Sequence, residues 1–145
     1  MDFLTSMDIS SSGMAANRKR MNAISSNIAN AQTTRTVEGG PYRRKEVVFG
    51  SEPARGKFSD ILEGEMGQNI RKVHATEVLS MNEAPILKYE PGHVDANEKG
   101  YVAYPNVNVM KEMANMISAS RSYEANISAL NTAKSMALKS LEIGR

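Results

Sequence analysis

The 145-residue sequence contains no cysteine and no tryptophan, and only 6% of its residues are aromatic. Without cysteine the chain has no disulfide framework, no thiolate nucleophile and no cysteine-based metal site, an absence compatible with any compartment. It also has no run of about 18 apolar residues, so we expect no segment that spans a membrane. Ten methionines are typical of adaptable contacts between helices rather than of an aromatic core.

A strong overall charge is also missing, because the formal net charge is only +2. No long-range field therefore draws the chain to nucleic acid or to acidic lipid. The start of the chain does not resemble a cleaved signal peptide, since Asp2 and Asp8 stand where basic residues are usual and no continuous apolar segment follows. We expect no nucleic-acid partner and no cleaved signal.

Motifs for catalysis or nucleotide binding are absent from the sequence: it contains no G-x-S-x-G, no P-loop and no G-x-G-x-x-G. The only histidines are His74, with Glu77 three residues later, and His93, with Asp95 two residues later. Neither set has the further ligands that a metal site needs, so solvated strand and turn residues are the favoured interpretation. We expect no enzyme, no cofactor, no metal and no small-molecule substrate.

Two basic triplets, Arg18-Lys19-Arg20 and Arg43-Arg44-Lys45, are the main local charge features. They lack interleaved aromatic residues, and Glu46 follows the second triplet directly, which argues against nucleic-acid binding. Such triplets more often pair with acidic neighbours or extend along a helix surface.

The last forty residues carry the strongest pattern in the chain, with positions spaced four and then three residues apart. These positions are Val109, Met113, Met116, Ser120, Tyr123, Ile127, Leu130, Lys134, Ala137 and Leu141. All are apolar except Ser120 and Lys134, and such a sustained heptad pattern predicts a long helix packed along another helix. Pro105 and Asn106 stand where this helix should begin and Gly144 where it should end, giving a length of about 55 Å.

The N-terminal thirty residues carry a second heptad pattern. Met7, Met14, Met21 and Ile28 recur every seven residues, and a second track contains Phe3, Ile24 and Ala31 with the polar residues Ser10 and Asn17. This spacing predicts a helix over residues 3–31, about 42 Å long. The weak helix formers at residues 10–13 suggest a kink there, with Ser12 capping a new turn.

The middle of the chain, residues 33–104, has a different character. Gly39-Gly40-Pro41 ends any helix, and strands are predicted near the end of residues 42–49 and over residues 70–79, 86–89 and 101–104. Residues 50–67 are predicted to be a loop with one short helical turn over residues 58–62.

Together these patterns predict the α+β class. The helical ends, residues 1–32 and 105–145, are expected to pair as an antiparallel coiled coil, with residues 33–104 as a small β-rich domain. The faces away from the seams carry mostly Ser, Ala, Asn and Thr, which permits neighbours on several sides. A single intramolecular hairpin with a plain polar exterior remains the alternative.

Both ends of the sequence resemble the flagellar axial proteins of the rod and hook. The N-terminal resemblance lies in Ser12-Gly13-Met14-Ala15-Ala16-Asn17-Arg18, Ile24-Ser25-Ser26-Asn27-Ile28-Ala29-Asn30-Ala31 and Thr33-Thr34-Arg35. The C-terminal resemblance is to the proximal-rod members and lies in Asn106-Val107-Asn108, Ser120-Arg121-Ser122-Tyr123-Glu124-Ala125-Asn126 and Ile143-Gly144-Arg145. Tyr42-Arg43-Arg44-Lys45 and Tyr89-Glu90-Pro91-Gly92-His93 resemble their middle segment.

The resemblance implies a structural subunit exported through the flagellar type III apparatus without a cleaved signal. It would join copies of itself and other rod proteins in a periplasmic helical tube that transmits torque from rotor to hook, with its terminal helices lining the tube. A soluble coiled-coil adaptor or secretion-associated binding protein is the alternative. The residues predicted to form the helix and assembly contacts are Met7, Met14, Met21, Ile24, Ile28, Met113, Met116, Tyr123, Ile127, Leu130 and Leu141.

Overall fold

The computed structural model describes residues 3–53 and 71–143. Two long helices, α1 (Phe3–Ala29) and α2 (Val109–Ile143), lie at the two ends of the described sequence, and four strands lie between them in chain order. The strands are β1 (Lys45–Pro53), β2 (Arg71–Ser80), β3 (Ile86–Tyr89) and β4 (Tyr101–Tyr104). The α+β class is confirmed. Neither helix in these residues combines the length and apolarity needed to cross a membrane.

Helix α1 runs without interruption through its weakest segment. Ser10 Oγ donates to Ser6 O at 3.0 Å, Ser12 Oγ donates to Ile9 O at 2.8 Å, and Asn17 Nδ2 donates to Gly13 O at 3.0 Å. The polar side chains therefore bond back to their own helix instead of offering the backbone an alternative. The predicted capped turn at Ser12 is wrong, because residues 10–13 belong to one continuous helix.

Helix α2 begins later than the sequence suggested. Asn108 Oδ1 accepts the N–H of Lys111 at 3.1 Å, which makes Asn108 the N-cap, while Pro105 belongs to a turn closed by Val107 N–H. The start predicted at residues 105–106 is therefore too early. The helix begins after the capping residue Asn108 and not at the proline. The predicted end at Gly144 lies outside the described residues.

The strands form two separate two-stranded sheets, β1 with β2 and β3 with β4. Strands β3 and β4 coincide with their predicted ranges, and β2 ends one residue later than predicted, while its predicted first residue, 70, lies outside the described residues. Strand β1 continues through residues 50–53, where a loop was predicted, so that part of the prediction is wrong. The predicted helical turn at residues 58–62 lies outside the described residues.

The β3–β4 pair is antiparallel, with Ile86 opposite Tyr104 and Tyr89 opposite Tyr101. Its connection needs Gly100, whose φ of +78° is favourable for glycine and whose Cβ would meet Tyr89 at 2.8 Å. Tyr104 donates a hydrogen bond to Glu90 at 2.9 Å. That bond, with a smaller contribution from burial, raises the pKa of Tyr104 above its usual 10.0.

The chain divides into two compact units. The first comprises Met1–Lys19, Val48–Glu77 and Ala119–Arg145, and the second comprises Arg20–Val47 and Val78–Ser118. Few large side chains are fully covered: the buried apolar residues among those described are Ala16, Ala23, Ile24, Val102, Ala119 and Ala133. Four of these six are alanine, so the described residues bury little apolar area for their number.

In the first unit, β2 lies against the N-terminal half of α1. Lys72 Nζ contacts the carboxylate of Asp8 at 2.8 Å, and Ser12 Oγ accepts the N–H of Val73 at 3.4 Å. Gly13 lies against α2, because a Cβ there would meet Asn126 Nδ2 at 3.0 Å. A glycine on α1 thus permits a close helix approach.

Candidate functional site

The predicted contact residues of α1 are mostly covered. Ile24 is buried, and Met7, Met14, Met21 and Ile28 are half-buried. The smallest exposed fractions on the same helix belong to Asn27, Ala16, Ile24, Ser10 and Ala23. Four of these five side chains are small or polar, which a pattern read from large apolar residues does not find, and the fifth, Ile24, was predicted.

The predicted contact residues of α2 separate into two groups. Met116, Tyr123 and Leu130 are half-buried, whereas Met113, Ile127 and Leu141 are exposed. The covered stripe of this helix consists of Glu112, Met116, Ala119, Tyr123, Asn126, Leu130, Ala133 and Ala137, and Asn115 and Ser120 beside it are also half-buried. The stripe and the predicted seam share Met116, Tyr123, Leu130 and Ala137. The other residues of the stripe, Glu112, Ala119, Asn126 and Ala133, each lie one position before a residue of the predicted seam. That offset places Lys134, one of the two polar residues of the predicted seam, on the exposed side of the helix, whereas the other, Ser120, is half-buried.

Apolar residues outside the covered stripe form exposed surface on α2. In the second unit, Met110, Met113 and Ile117 are 77%, 51% and 57% exposed and follow helical spacing along one face. In the first unit, Met136, Leu138 and Leu141 are also more than half exposed. Apolar surface of this kind on a helix is typical of a site for another protein.

Beneath the start of α2, the second unit contains a buried cluster of three polar side chains, Asn27, Arg44 and Glu112, here named the polar junction. Asn27 is fully buried and bonds both backbone groups of Lys45: Oδ1 accepts its N–H and Nδ2 donates to its O, each at 2.8 Å. The side-chain amide thereby makes the two backbone hydrogen bonds with Lys45, the first residue of β1, that a neighbouring strand would otherwise make. Tyr42 also donates its hydroxyl to Asn27 Oδ1 at 3.0 Å.

Glu112 completes the polar junction from α2. It is 1% exposed, with Oε1 accepting from Arg44 Nε at 3.0 Å and Oε2 from Asn27 Nδ2 at 3.1 Å. Its place in the first turn of α2 also favours a negative charge, because the N-terminus of a helix is partly positive. Both carboxylate oxygens are satisfied, and no buried side-chain nitrogen or oxygen in the described residues lacks a partner.

Arg44 connects the polar junction to solvent. Its Nη1 contacts the exposed Glu46 at 2.9 Å while its Nε contacts the buried Glu112. Burial alone would lower the pKa of Arg44, but the hydrogen bonds to Glu112 and Glu46 outweigh it and raise the pKa above its ordinary value. Arg44 therefore stays charged, and the interpretation that its triplet pairs with acidic neighbours is confirmed for this residue.

Sequence reasoning did not find Asn27 or Glu112. Both lie within stretches whose pattern indicates only a helix, and their separation of 85 positions in the chain conceals the pairing. The one available signal was an acidic residue in the first turn of a helix, a position that favours negative charge in any helix. No motif links such a residue to a distant asparagine.

His93 and Asp95, one of the two histidine–carboxylate sets noted in the sequence, make ordinary hydrogen bonds. His93 Nδ1 accepts the N–H of Asp95 at 3.1 Å, and the carboxylate of Asp95 accepts from Thr34 Oγ1 at 2.8 Å. Both interactions belong to a turn. Across residues 3–53 and 71–143, no group of three or more His, Asp or Glu side chains is arranged to hold a metal ion.

Two family models match the helical ends of the chain. The model described as "Flagella basal body rod protein" matches residues 7–35, which contain most of α1. The model described as "Flagellar basal body rod FlgEFG protein C-terminal" matches residues 98–143, which contain β4 and α2. The matched segments contain Asn27 and Glu112, and Arg44 lies in the middle segment between the two matches.

Full-length relatives extend this similarity to the middle segment. The chain is 43% identical to the flagellar basal-body rod protein FlgC of Salmonella typhimurium over 100% of both chains. It is 42% identical to FlgC of Borreliella burgdorferi, over 99% of this chain and 98% of that one, and 42% identical to FlgC of Bacillus subtilis over 97% of each. Identity at this level over the whole length shows that the chain belongs to the FlgC family of flagellar basal-body rod proteins, structural subunits of the rod.

Proposed function

We propose that this protein builds the proximal part of the flagellar rod as one subunit of a helical tube that transmits torque from the rotor to the hook. The observation that carries the proposal is the exposed apolar surface of α2 in a chain similar to rod proteins over its whole length. Each large side chain covered by a neighbouring subunit would contribute about 1.5–3 kcal/mol. A subunit whose described residues bury few large apolar side chains gains this burial by assembling.

The two terminal helices pair as an antiparallel coiled coil in this proposal, with residues 1–32 and 105–145 as the polymer core and residues 33–104 outside it. Two contacts support the pairing: Gly13 lies against Asn126, and Asn27 bonds Glu112. Moving 14 residues forward on α1 corresponds to moving 14 residues backward on α2. Opposite directions at equal steps are what an antiparallel pair requires.

Cysteine crosslinking tests this pairing in a background that contains no native cysteine. The variant Gly13→Cys with Asn126→Cys is expected to form an intramolecular disulfide under mild oxidation, because Asn126 Cγ lies 3.2 Å from the position of a Cβ at residue 13. The matched control pairs Gly13→Cys with the exposed position Ser128→Cys and should stay reduced. Equal crosslinking of both pairs in non-reducing electrophoresis would contradict the contact between residues 13 and 126 on which the pairing rests.

The partners of the chain in this proposal are copies of itself, other rod proteins and the type III export apparatus, and its location is the periplasmic rod. The resemblance of both ends to rod and hook proteins supports these partners. The family name of the relatives, basal-body rod protein, supports the location.

Complementation separates a rod subunit from a soluble adaptor. In flagellated cells that lack their own copy, this chain is expected to restore swimming and to be recovered in isolated basal bodies after detergent and salt washing. An adaptor would instead remain in the soluble fraction and elute from size-exclusion chromatography as an oligomer of fixed mass. Recovery only in that soluble form would contradict the rod assignment.

A further inference from the structure

Three methionines follow one another at every third position in the first turns of α2: Met110, Met113 and Met116. Elsewhere in the sequence, no two methionines lie closer than six positions apart. In an α-helix a spacing of three places consecutive side chains about 60° apart around the axis and about 4.5 Å apart along it. Residues at this spacing are neighbours on the helix surface, so the three thioethers form one ridge, here named the methionine ridge.

The methionine ridge is open to small solutes, and all of its residues belong to the second unit. Met110 and Met113 are more than half exposed, and Met116 is half-buried. Glu112 does not place a carboxylate on the ridge, because both of its oxygens accept hydrogen bonds within the polar junction. Thioether sulfur is therefore the donor atom that this part of α2 presents to solvent.

Thioether sulfur is a different class of ligand from the His, Asp and Glu groups considered above. It is neutral and soft, so it selects soft ions such as Cu(I), whereas Mg²⁺ and Ca²⁺ prefer oxygen ligands. The methionine side chain is unbranched with three rotatable bonds, which lets neighbouring sulfur atoms turn toward one ion. The chain has no cysteine, so no thiolate of its own competes for such an ion.

We propose that Met110, Met113 and Met116 form a binding site for a soft monovalent metal ion of the Cu(I) and Ag(I) type. Met113 is the central ligand, since it lies between the other two, which are about 9 Å apart along the helix axis. The partial positive charge at the start of α2 opposes a cation mainly at Met110, because this effect falls off within the first turn. Neutral thioethers also leave the bound ion as the only charge that the ridge carries.

Titration with Ag(I) tests the site directly, because this ion needs no reductant to remain monovalent. The probe is silver nitrate, added without chloride to the purified full-length chain labelled with ¹³C at the methionine methyl groups. The NMR signals of Met110, Met113 and Met116 are expected to shift together and to reach their end point at one equivalent. Met136 is a matched internal control, since it is 60% exposed on the same helix but has no methionine neighbour. An equal shift of Met136 would mean adventitious binding by single thioethers and would overturn the proposal.

Leucine variants test the role of the central ligand with Cu(I). Under anaerobic reducing conditions, competition with a chromogenic Cu(I) chelator is expected to show at least a tenfold weaker affinity for Met113→Leu than for the parent. Met136→Leu should bind as the parent does. Leucine replaces methionine with little change in volume, and both positions are exposed, so circular dichroism should show both variants folded. A folded Met113→Leu variant with the affinity of the parent would refute the site.

The hard ion Mg²⁺ completes the test. It is expected to shift none of the three methyl signals, since its preferred ligands are oxygen atoms. The same response to Mg²⁺ as to Ag(I) would show a general effect of cations and would contradict a thioether site. All of these measurements use the purified chain, so a negative result refutes the metal site and leaves the rod assignment intact.

Discussion

Replacing Glu112 by alanine is expected to lower the free energy of unfolding by about 3–5 kcal/mol, which is a large fraction of the stability of a domain of this size. The variant leaves Arg44 facing a space that its partner had filled, and it removes the acceptor of the Asn27 Nδ2 bond. The remaining ion pair of Arg44 is with the exposed Glu46, which cannot compensate inside the protein. Chemical denaturation of purified protein, followed by circular dichroism, measures the effect.

The matched control for this prediction is Glu46→Ala. Glu46 also contacts Arg44, at 2.9 Å, but its side chain is 52% exposed. A pair screened by solvent contributes about 0–1 kcal/mol, so the control should unfold at nearly the same denaturant concentration as the parent. Equal effects of the two variants would mean that burial does not govern the strength of these ion pairs.

Replacing Ile127 by aspartate is expected to abolish swimming while leaving the purified chain helical. Ile127 is 37% exposed, and it belongs to the set of residues predicted from sequence to form assembly contacts. Removing an apolar side chain from a subunit interface costs about 1.5–3 kcal/mol at each copy, and an aspartate buried there adds the cost of an unpaired charge. Because such an interface would repeat along the proposed tube, even a modest weakening at each subunit is expected to prevent growth.

Swimming in soft agar and recovery of the chain in isolated basal bodies measure this effect in cells that lack their own copy. Ile127→Leu keeps an apolar side chain of nearly the same volume and should support normal swimming. Circular dichroism of each purified variant separates failed assembly from failed folding. A strain that swims normally with Ile127→Asp would contradict the role assigned to this residue.

Local patterns predicted the elements well where they depend on neighbouring residues. The hairpin strands β3 and β4 follow from Pro91-Gly92 and from the turn at residues 97–100, whose signals are local. The start of α2 was missed by a few residues because Asn108 caps the helix better than Pro105 begins it. Strand β1 extends beyond its prediction because pairing with β2, a distant segment, overrides the weak strand preference of Gly50 and Pro53.

The exact stripe of α2 that is covered could not be read from hydrophobicity. The sequence pattern selected the large apolar residues, among them Met113 and Ile127, whereas the chain itself covers Ala119, Asn126 and Ala133. Close packing of two helices needs small side chains between them, and large ones remain outside for other surfaces. A periodicity that counts only large residues therefore places one of the two rows of contact residues one position too late in the sequence.

The sequence by itself determined the class of the protein, two long helices around a β-rich middle, and the resemblance of its ends to rod and hook proteins. These features follow from heptad spacing, turn residues and short motifs, which are all local in the chain. Only the tertiary structure decided that Asn27, Arg44 and Glu112 meet. Hydrogen bonds between residues far apart in sequence leave no periodic trace, because each partner is an ordinary polar residue until the fold removes it from water.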